Sequence, residues 1–195
     1  HLPAASGLQV IDEAVAHGAE IMALGLDSSE APFPPSLFTE CYAKARSLGW
    51  KLVAHAGEEG PAGYVWSALN NLGVDRIDHG VRSAEDPELI HYLVDQQVPL
   101  TVCPQSNVRL CVYDHMREHN ILEMLEQNVL VTVNSDDPAY FGGYLEQNFV
   151  EMAEHLGMTN EQMVALVKNS FRGSFAAPEY VQRQLEAIDA VAAGS

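Results

Sequence analysis

Positive charge is scarce in this sequence: 10 Lys and Arg stand against 27 Asp and Glu, for a formal net charge of −17. That balance opposes binding to nucleic acid or anionic membranes, which would repel the chain. Cysteine is scarce as well. Cys41, Cys103 and Cys111 form an odd set without CxxC spacing, which argues against a secreted disulfide framework and suits a reducing, cytoplasmic setting. These 195 residues show no signal-peptide pattern and no apolar run long enough to span a bilayer, so neither is expected of them. Neither a GxGxxG nor a GKS/T loop is present, so nucleotide phosphate binding has no support. What is present is 195 residues, 47% hydrophobic, enough to bury a sizeable core as one folding unit over residues 1–195. The partner this favours is a small molecule, with homo-oligomerisation left open.

Apolar runs punctuated by Gly, Pro and charge predict five strands. They are Glu20–Leu26, the run Trp50–Ala54 that delivers His55, Asp75–Asp78, Val98–Val102, and Val129–Val133 that delivers Asn134. Helical patterns separate them, from about Ser36 to Leu48, from Ala62 to Leu72, and after Glu85-Asp86-Pro87, where acid and proline occupy a first turn. From about Gly143 to Ala193 the pattern is helical, broken at Gly157-Met158-Thr159 and Ala177-Pro178. Strands with helical crossovers predict a parallel α/β sheet covered on both faces, either doubly wound or part of an eight-stranded barrel. Polar clusters at successive strand ends favour the barrel, because a barrel points all those ends at one centre.

Two of those clusters carry the most chemistry, His55-Ala56-Gly57-Glu58 and Asn134-Ser135-Asp136-Asp137-Pro138. A His at a strand end, an acid one turn on and a distant Asp pair suggest a metal that activates water and carboxyls that move protons. Partial burial would raise the Glu58 pKa and suit it to general acid work, whereas Glu59 reads as a solvated loop acid. Adjacent Asp136 and Asp137 have diverging side chains, so one can face a metal and the other a substrate. The plainer reading of the pair is an Asx turn or helix cap ahead of Pro138. His79 can orient an attacking water, or simply bond Asp78. Cys103, lacking a second cysteine, reads as a small buried residue. His1, His17, His91, His115, His119 and His155 default to the surface. Tyr140, Phe141 and Tyr144 either wall a pocket or pack plainly.

Together, His-Ala-Gly-Glu, Arg-Ile-Asp-His-Gly, Cys-Pro-Gln-Ser-Asn and Asn-Ser-Asp-Asp-Pro, in that order, resemble the adenosine and adenine deaminase family of the amidohydrolase superfamily. The segment Ser135–Tyr144 is most similar to the adenine deaminase branch. The resemblance implies hydrolytic deamination of adenine to hypoxanthine and ammonia, in purine salvage, by a zinc-activated water that attacks C6. His55 and Asp136 would be zinc ligands, Glu58 would protonate purine N1, His79 would orient or deprotonate the water, and Asp137 would accept a hydrogen bond from the N7 side. A contact to N3 would fall near Asp27-Ser28-Ser29-Glu30. Adenosine and N6-substituted adenines such as cytokinins are the alternative substrates. A superfamily hydrolase with a carboxylated lysine is less well matched, since the one lysine near a strand end, Lys51, lies on the wrong side of His55.

One departure stands out. The family's His-x-His pair on the first barrel strand, two further zinc ligands, occurs nowhere in this sequence. The chain also begins at His1 rather than Met, inside what would be the third crossover. The expected fold is therefore the C-terminal part of a (β/α)8 metal-dependent hydrolase barrel, about strands 4–8 with their helices. The two missing ligands are expected from an N-terminal segment, and these residues alone should bind zinc poorly and be inactive. A catalytically silent barrel fragment or scaffold is the reading from another class.

Overall fold

Parallel strands alternate with helices in a chain that the computed structural model describes over residues 1–194. Those residues form two units, His1–Leu89 and the stretch from Ile90 onward. In the first, α1 (Ala4–Ala16) and β1 (Ala23–Leu24) precede α2 (Thr39–Ser47), β2 (Lys51–Ala56), α3 (Ala62–Ser67) and β3 (Arg76–His79). Strand β2 pairs in parallel with both β1 and β3, with His55 opposite Asp78 and Ala56 opposite His79. Leu52, Val53, Ala54 and Ala56 are all buried, so β2 is covered on both faces, as a parallel strand between helices must be. Helix α2 packs Cys41, Tyr42 and Ala45 inward, at helical spacing, and the Tyr42 hydroxyl donates to the Val53 carbonyl at 2.6 Å. Leu72 and Ile77 are fully buried, each stabilising the unit by about 1.5–3 kcal/mol.

Helix α4 (Pro87–Gln96) has Pro87 in its first turn and Asp86 accepting from the Glu88 and Leu89 N–H groups at 3.0 and 3.3 Å, as the acid-proline signal predicts. In the second unit, β4 (Leu100–Val102) pairs in parallel with β5 (Val131–Val133). Between them lie α5 (Pro104–Arg109) and α6 (Ile121–Glu126), and after β5 come α7 (Pro138–Phe141), α8 (Leu145–Leu156), α9 (Asn160–Arg172) and α10 (Pro178–Ala192). Thr159 starts α9 with a capping box: its hydroxyl accepts from Gln162 N–H at 3.2 Å while the Gln162 side chain accepts from Thr159 N–H at 2.9 Å. Inward on α9, buried Asn169 donates to the Val131 carbonyl at 3.1 Å, satisfying an acceptor on β5. Among the described residues, no helix is long and apolar enough to cross a membrane.

Several expectations about elements need correction. The run Glu20–Leu26 yields only the two-residue β1, with Met22 70% exposed, because β1 has a strand partner on one side only among the described residues. The helix expected from Ala62 to Leu72 changes at Ala68 to a π-helical turn, Ala68–Leu72, that ends on Gly73. For Cys-Pro-Gln-Ser-Asn the sequence predicts no element, and Pro104 proves to be the first residue of α5.

Candidate active site

At the C-terminal end of β2, His55 is half-buried and its Nδ1 lies 3.0 Å from the Leu26 carbonyl. A carbonyl only accepts, so Nδ1 is the nitrogen that donates, and in the neutral tautomer Nε2 keeps its lone pair. The strand ends in a turn at Gly57, whose φ of +76° suits glycine; an added Cβ would also lie 2.5 Å from the Val65 side chain. That turn delivers Glu58, 7% exposed, with Oε1 3.1 Å from His79 Nδ1. His79, at the end of the adjacent β3, is 2% exposed and adopts φ +62°, a conformation costly for a residue with a Cβ. Its ring lies 4.7 Å from that of His55, tilted by 50°.

Burial, followed by the neighbouring His55, pushes the His79 pKa down to about 3, while Asp78 opposes the shift. The ring is therefore neutral near pH 7 and carries one N–H. Contact between that ring and Glu58 then requires either Nδ1–H donating to the carboxylate or a carboxyl O–H donating to Nδ1. Either way the two side chains share one proton. Asp78 has a carboxylate oxygen 3.9 Å from His55 Nδ1 and another 3.5 Å from Arg76 Nε.

In the second unit, the chain leaves β5 through Asn134, whose amide donates to the Thr132 hydroxyl at 2.8 Å. Asp136 follows with φ +55°, exposed, its Oδ2 accepting from the Ser106 hydroxyl at 2.7 Å. Ser106 is fully buried on α5, and Gln105 beside it donates its backbone N–H to buried Asn148 of α8 at 3.0 Å. Asp137 occupies the N-cap position of α7 but makes no side-chain cap bond. The cap expected of the Asp pair is thus met in position but without the side-chain bond, and the Asp137 carboxylate is exposed.

Cys103 is buried, as expected. Tyr140 and Tyr144 are not packing residues, being 85% and 76% exposed. Among the remaining histidines His119 departs from the surface default, at 4% exposed. Its Nδ1 accepts from Ile121 N–H at 3.2 Å and its Nε2 donates to Asn107 Oδ1 at 3.1 Å. Sequence reasoning also missed the support residues Glu30, Ser106 and Asn148. For Ser106 a signal existed, since it lies inside a quoted motif, but its partner is 30 residues away. The Glu30 carboxylate, in the stretch considered for N3, turns instead onto the backbone after β2.

A family model described as adenosine deaminase matches residues 4–191. Among curated proteins, the chain is 58% identical over 170 residues to the adenine deaminase of Bordetella avium, covering 87% of this chain and 54% of that protein. It is 51% identical over 191 residues to the adenine deaminase of Acinetobacter baylyi, covering 98% and 58%. The crystal structure of adenine deaminase from Arthrobacter aurescens superposes with a TM-score of 0.94 at 45% identity, over 96% of this chain and 57% of that one. An amidohydrolase from Burkholderia ambifaria, solved with bound Zn, shares the fold with a TM-score of 0.86 at 24% identity, over 100% and 57%. The chain thus spans between 54% and 58% of the length of these relatives. Its architecture is α/β and matches the C-terminal part of a (β/α)8 barrel.

Proposed function

Because the chain belongs to the adenosine deaminase family, we propose that the protein carrying it hydrolyses adenine to hypoxanthine and ammonia in purine salvage, with one zinc ion per active site. The observation that carries the reading is the buried Glu58–His79 pair at the ends of adjacent parallel strands, an acid and a neutral imidazole sharing one proton. The adenine deaminase relatives support adenine over adenosine or N6-substituted adenines.

The residues fit zinc in donor chemistry. His55 presents a neutral Nε2 because Leu26 fixes the proton on Nδ1, an orientation typical of metal-binding histidines. Asp136 supplies a carboxylate steadied by the Ser106 hydroxyl. His55 and Asp136 are assigned as ligands, with two further histidines completing the set. When bound, zinc supplies a Lewis acid that lets water ionise near neutral pH.

The remaining steps belong to this chain's own side chains. With the carboxyl O–H of Glu58 donating to His79 Nδ1, the single imidazole proton lies on Nε2, where it holds the attacking water and the charge developing on it. Glu58 passes its proton to purine N1, which makes C6 electrophilic. Water oxygen bonds to C6, the C6–N6 bond breaks with its electron pair on nitrogen, and the amine leaves with one of the water's protons as ammonia, while the second water proton returns to the Glu58 carboxylate as the C6–oxygen bond becomes a carbonyl. Asp137 accepts a hydrogen bond from the N7 side of the ring. Three cysteines outside any disulfide support a reducing, cytoplasmic setting, and the acidic chain suits a small purine as partner rather than nucleic acid.

The test is Glu58→Gln in the zinc-loaded protein, with adenine, adenosine and N6-methyladenine as substrates. The substituted amide keeps the shape of the side chain but lacks the acid proton, so adenine turnover should vanish while zinc content stays. A zinc-loaded wild-type protein that leaves all three purines untouched refutes the assignment.

A further inference from the structure

We propose that Glu30 is a positioning residue that sets the place of the Glu58 carboxyl by clamping the backbone of the turn after β2, an inference that rests on the deaminase reading for its catalytic consequence. Glu30 lies in the loop after β1, 6% exposed. Its Oε1 accepts from Gly57 N–H at 2.5 Å, and its Oε2 accepts from Glu58 N–H at 3.0 Å and Glu59 N–H at 2.9 Å. Three successive amides on one carboxylate account for its burial, because charge-assisted bonds offset the loss of hydration. The seat is shaped for that group. An added Cβ at Gly60 would lie 2.6 Å from Glu30 Oε1 and 2.5 Å from the Tyr64 ring.

The opposite side of the same turn is held too. Arg82 N–H donates to the Gly57 carbonyl at 2.8 Å, and its guanidinium donates to the Glu59 carbonyl at 2.9 Å. The peptide before Glu58 is therefore held at its N–H by Glu30 and at its carbonyl by Arg82, and the peptide after it at its N–H by Glu30, with Arg82 holding the carbonyl of Glu59 beyond. A side chain on so constrained a backbone has few places to put its carboxyl, and the place it takes is 3.1 Å from His79 Nδ1. The three amides are thus the partners that call for a carboxylate at this position. An amide side chain in its place breaks the arrangement by chemistry alone: it offers one oxygen, and its NH2 must face at least one of the three donors.

The experiment uses the zinc-loaded protein with adenine, and compares wild type, Glu30→Gln, Glu58→Asp and the double variant. Glu58→Asp retains an acid already displaced by a methylene. The expected result for Glu30→Gln is a kcat lower by about 10- to 100-fold, the scale of a misplaced catalytic group, with KM and zinc content little changed. In the Glu58→Asp background the same substitution should cost much less, because both act on one carboxyl. Amide hydrogen exchange should quicken at residues 57–59 alone. Unchanged kcat, losses that simply multiply, or loss of protection throughout β2 and β3 would each overturn the proposal. If wild type carries zinc yet spares adenine, the deaminase reading fails on its own. Exchange at residues 57–59 then still decides the clamp, and unaltered rates in Glu30→Gln would sink it.

Discussion

His119 should make the protein acid-sensitive in a way one substitution removes. Its ring is 4% exposed and uses both nitrogens, Nδ1 accepting from Ile121 N–H and Nε2 donating to Asn107, so it folds as one neutral tautomer. Burial pushes its pKa from 6.5 down to about 3. A base whose folded pKa is depressed contributes stability that is complete above the unfolded value. That contribution drains as pH falls from 6.5 toward 3, because only the unfolded chain takes the proton there. The loss runs at about 1.4 kcal/mol per pH unit, hence roughly 2 kcal/mol between about pH 6.5 and about pH 5. His119→Gln does not titrate; it keeps a donor for Asn107 but leaves Ile121 N–H unpaired, at a cost of about 1–3 kcal/mol. Urea unfolding of both proteins across pH should therefore show wild type ahead by about 2 kcal/mol at neutral pH and the gap closing near about pH 5. Every other titrating group, His79 included, cancels in the difference. A gap that stays constant with pH refutes the reasoning.

Two further outcomes follow from the strand ends. Gly57→Ala forces a Cβ into a φ of +76° and to 2.5 Å from Val65, which should lower unfolding free energy by about 2–4 kcal/mol in urea titrations and cut adenine turnover with it. Ser106→Ala removes the 2.7 Å bond to Asp136, so competition against a chelator should show zinc held about 10- to 100-fold more weakly.

Residues proposed to touch zinc or purine were legible in the sequence because each sits at a local break in pattern. His55 ends the buried run of β2, His79 ends β3, and Asp136 with Asp137 stands between β5 and Pro138. Punctuation of that kind survives in a linear text. It also explains why α4 and the breaks before α9 and α10 fall where acid, proline and glycine place them, whereas α1, without a side-chain cap or a first-turn acid, left no such mark. The holding residues obey a different geometry. Glu30 reaches its amides 27 to 29 residues away, Ser106 reaches Asp136 across 30, and His119 reaches Asn107 across 12. Each is a polar group whose partner lies far off in sequence, and its burial is visible only once the chain has folded over it.

The backbone carries the same division. His79 and Asp136 both take left-handed φ values without being glycine, each costing about 1–3 kcal/mol, and nothing in composition announces them. Strain of that size persists only where neighbours over-determine the position. For His79 those neighbours are the Glu58 carboxyl and the His55 ring; for Asp136 they include the Ser106 hydroxyl. Two of the six non-glycine residues with left-handed φ are thus ones whose direction the proposed chemistry needs, and at those two neighbouring polar groups keep the strain from relaxing. It follows that replacing a holding residue should first cost geometry at the strand ends and only second cost overall stability.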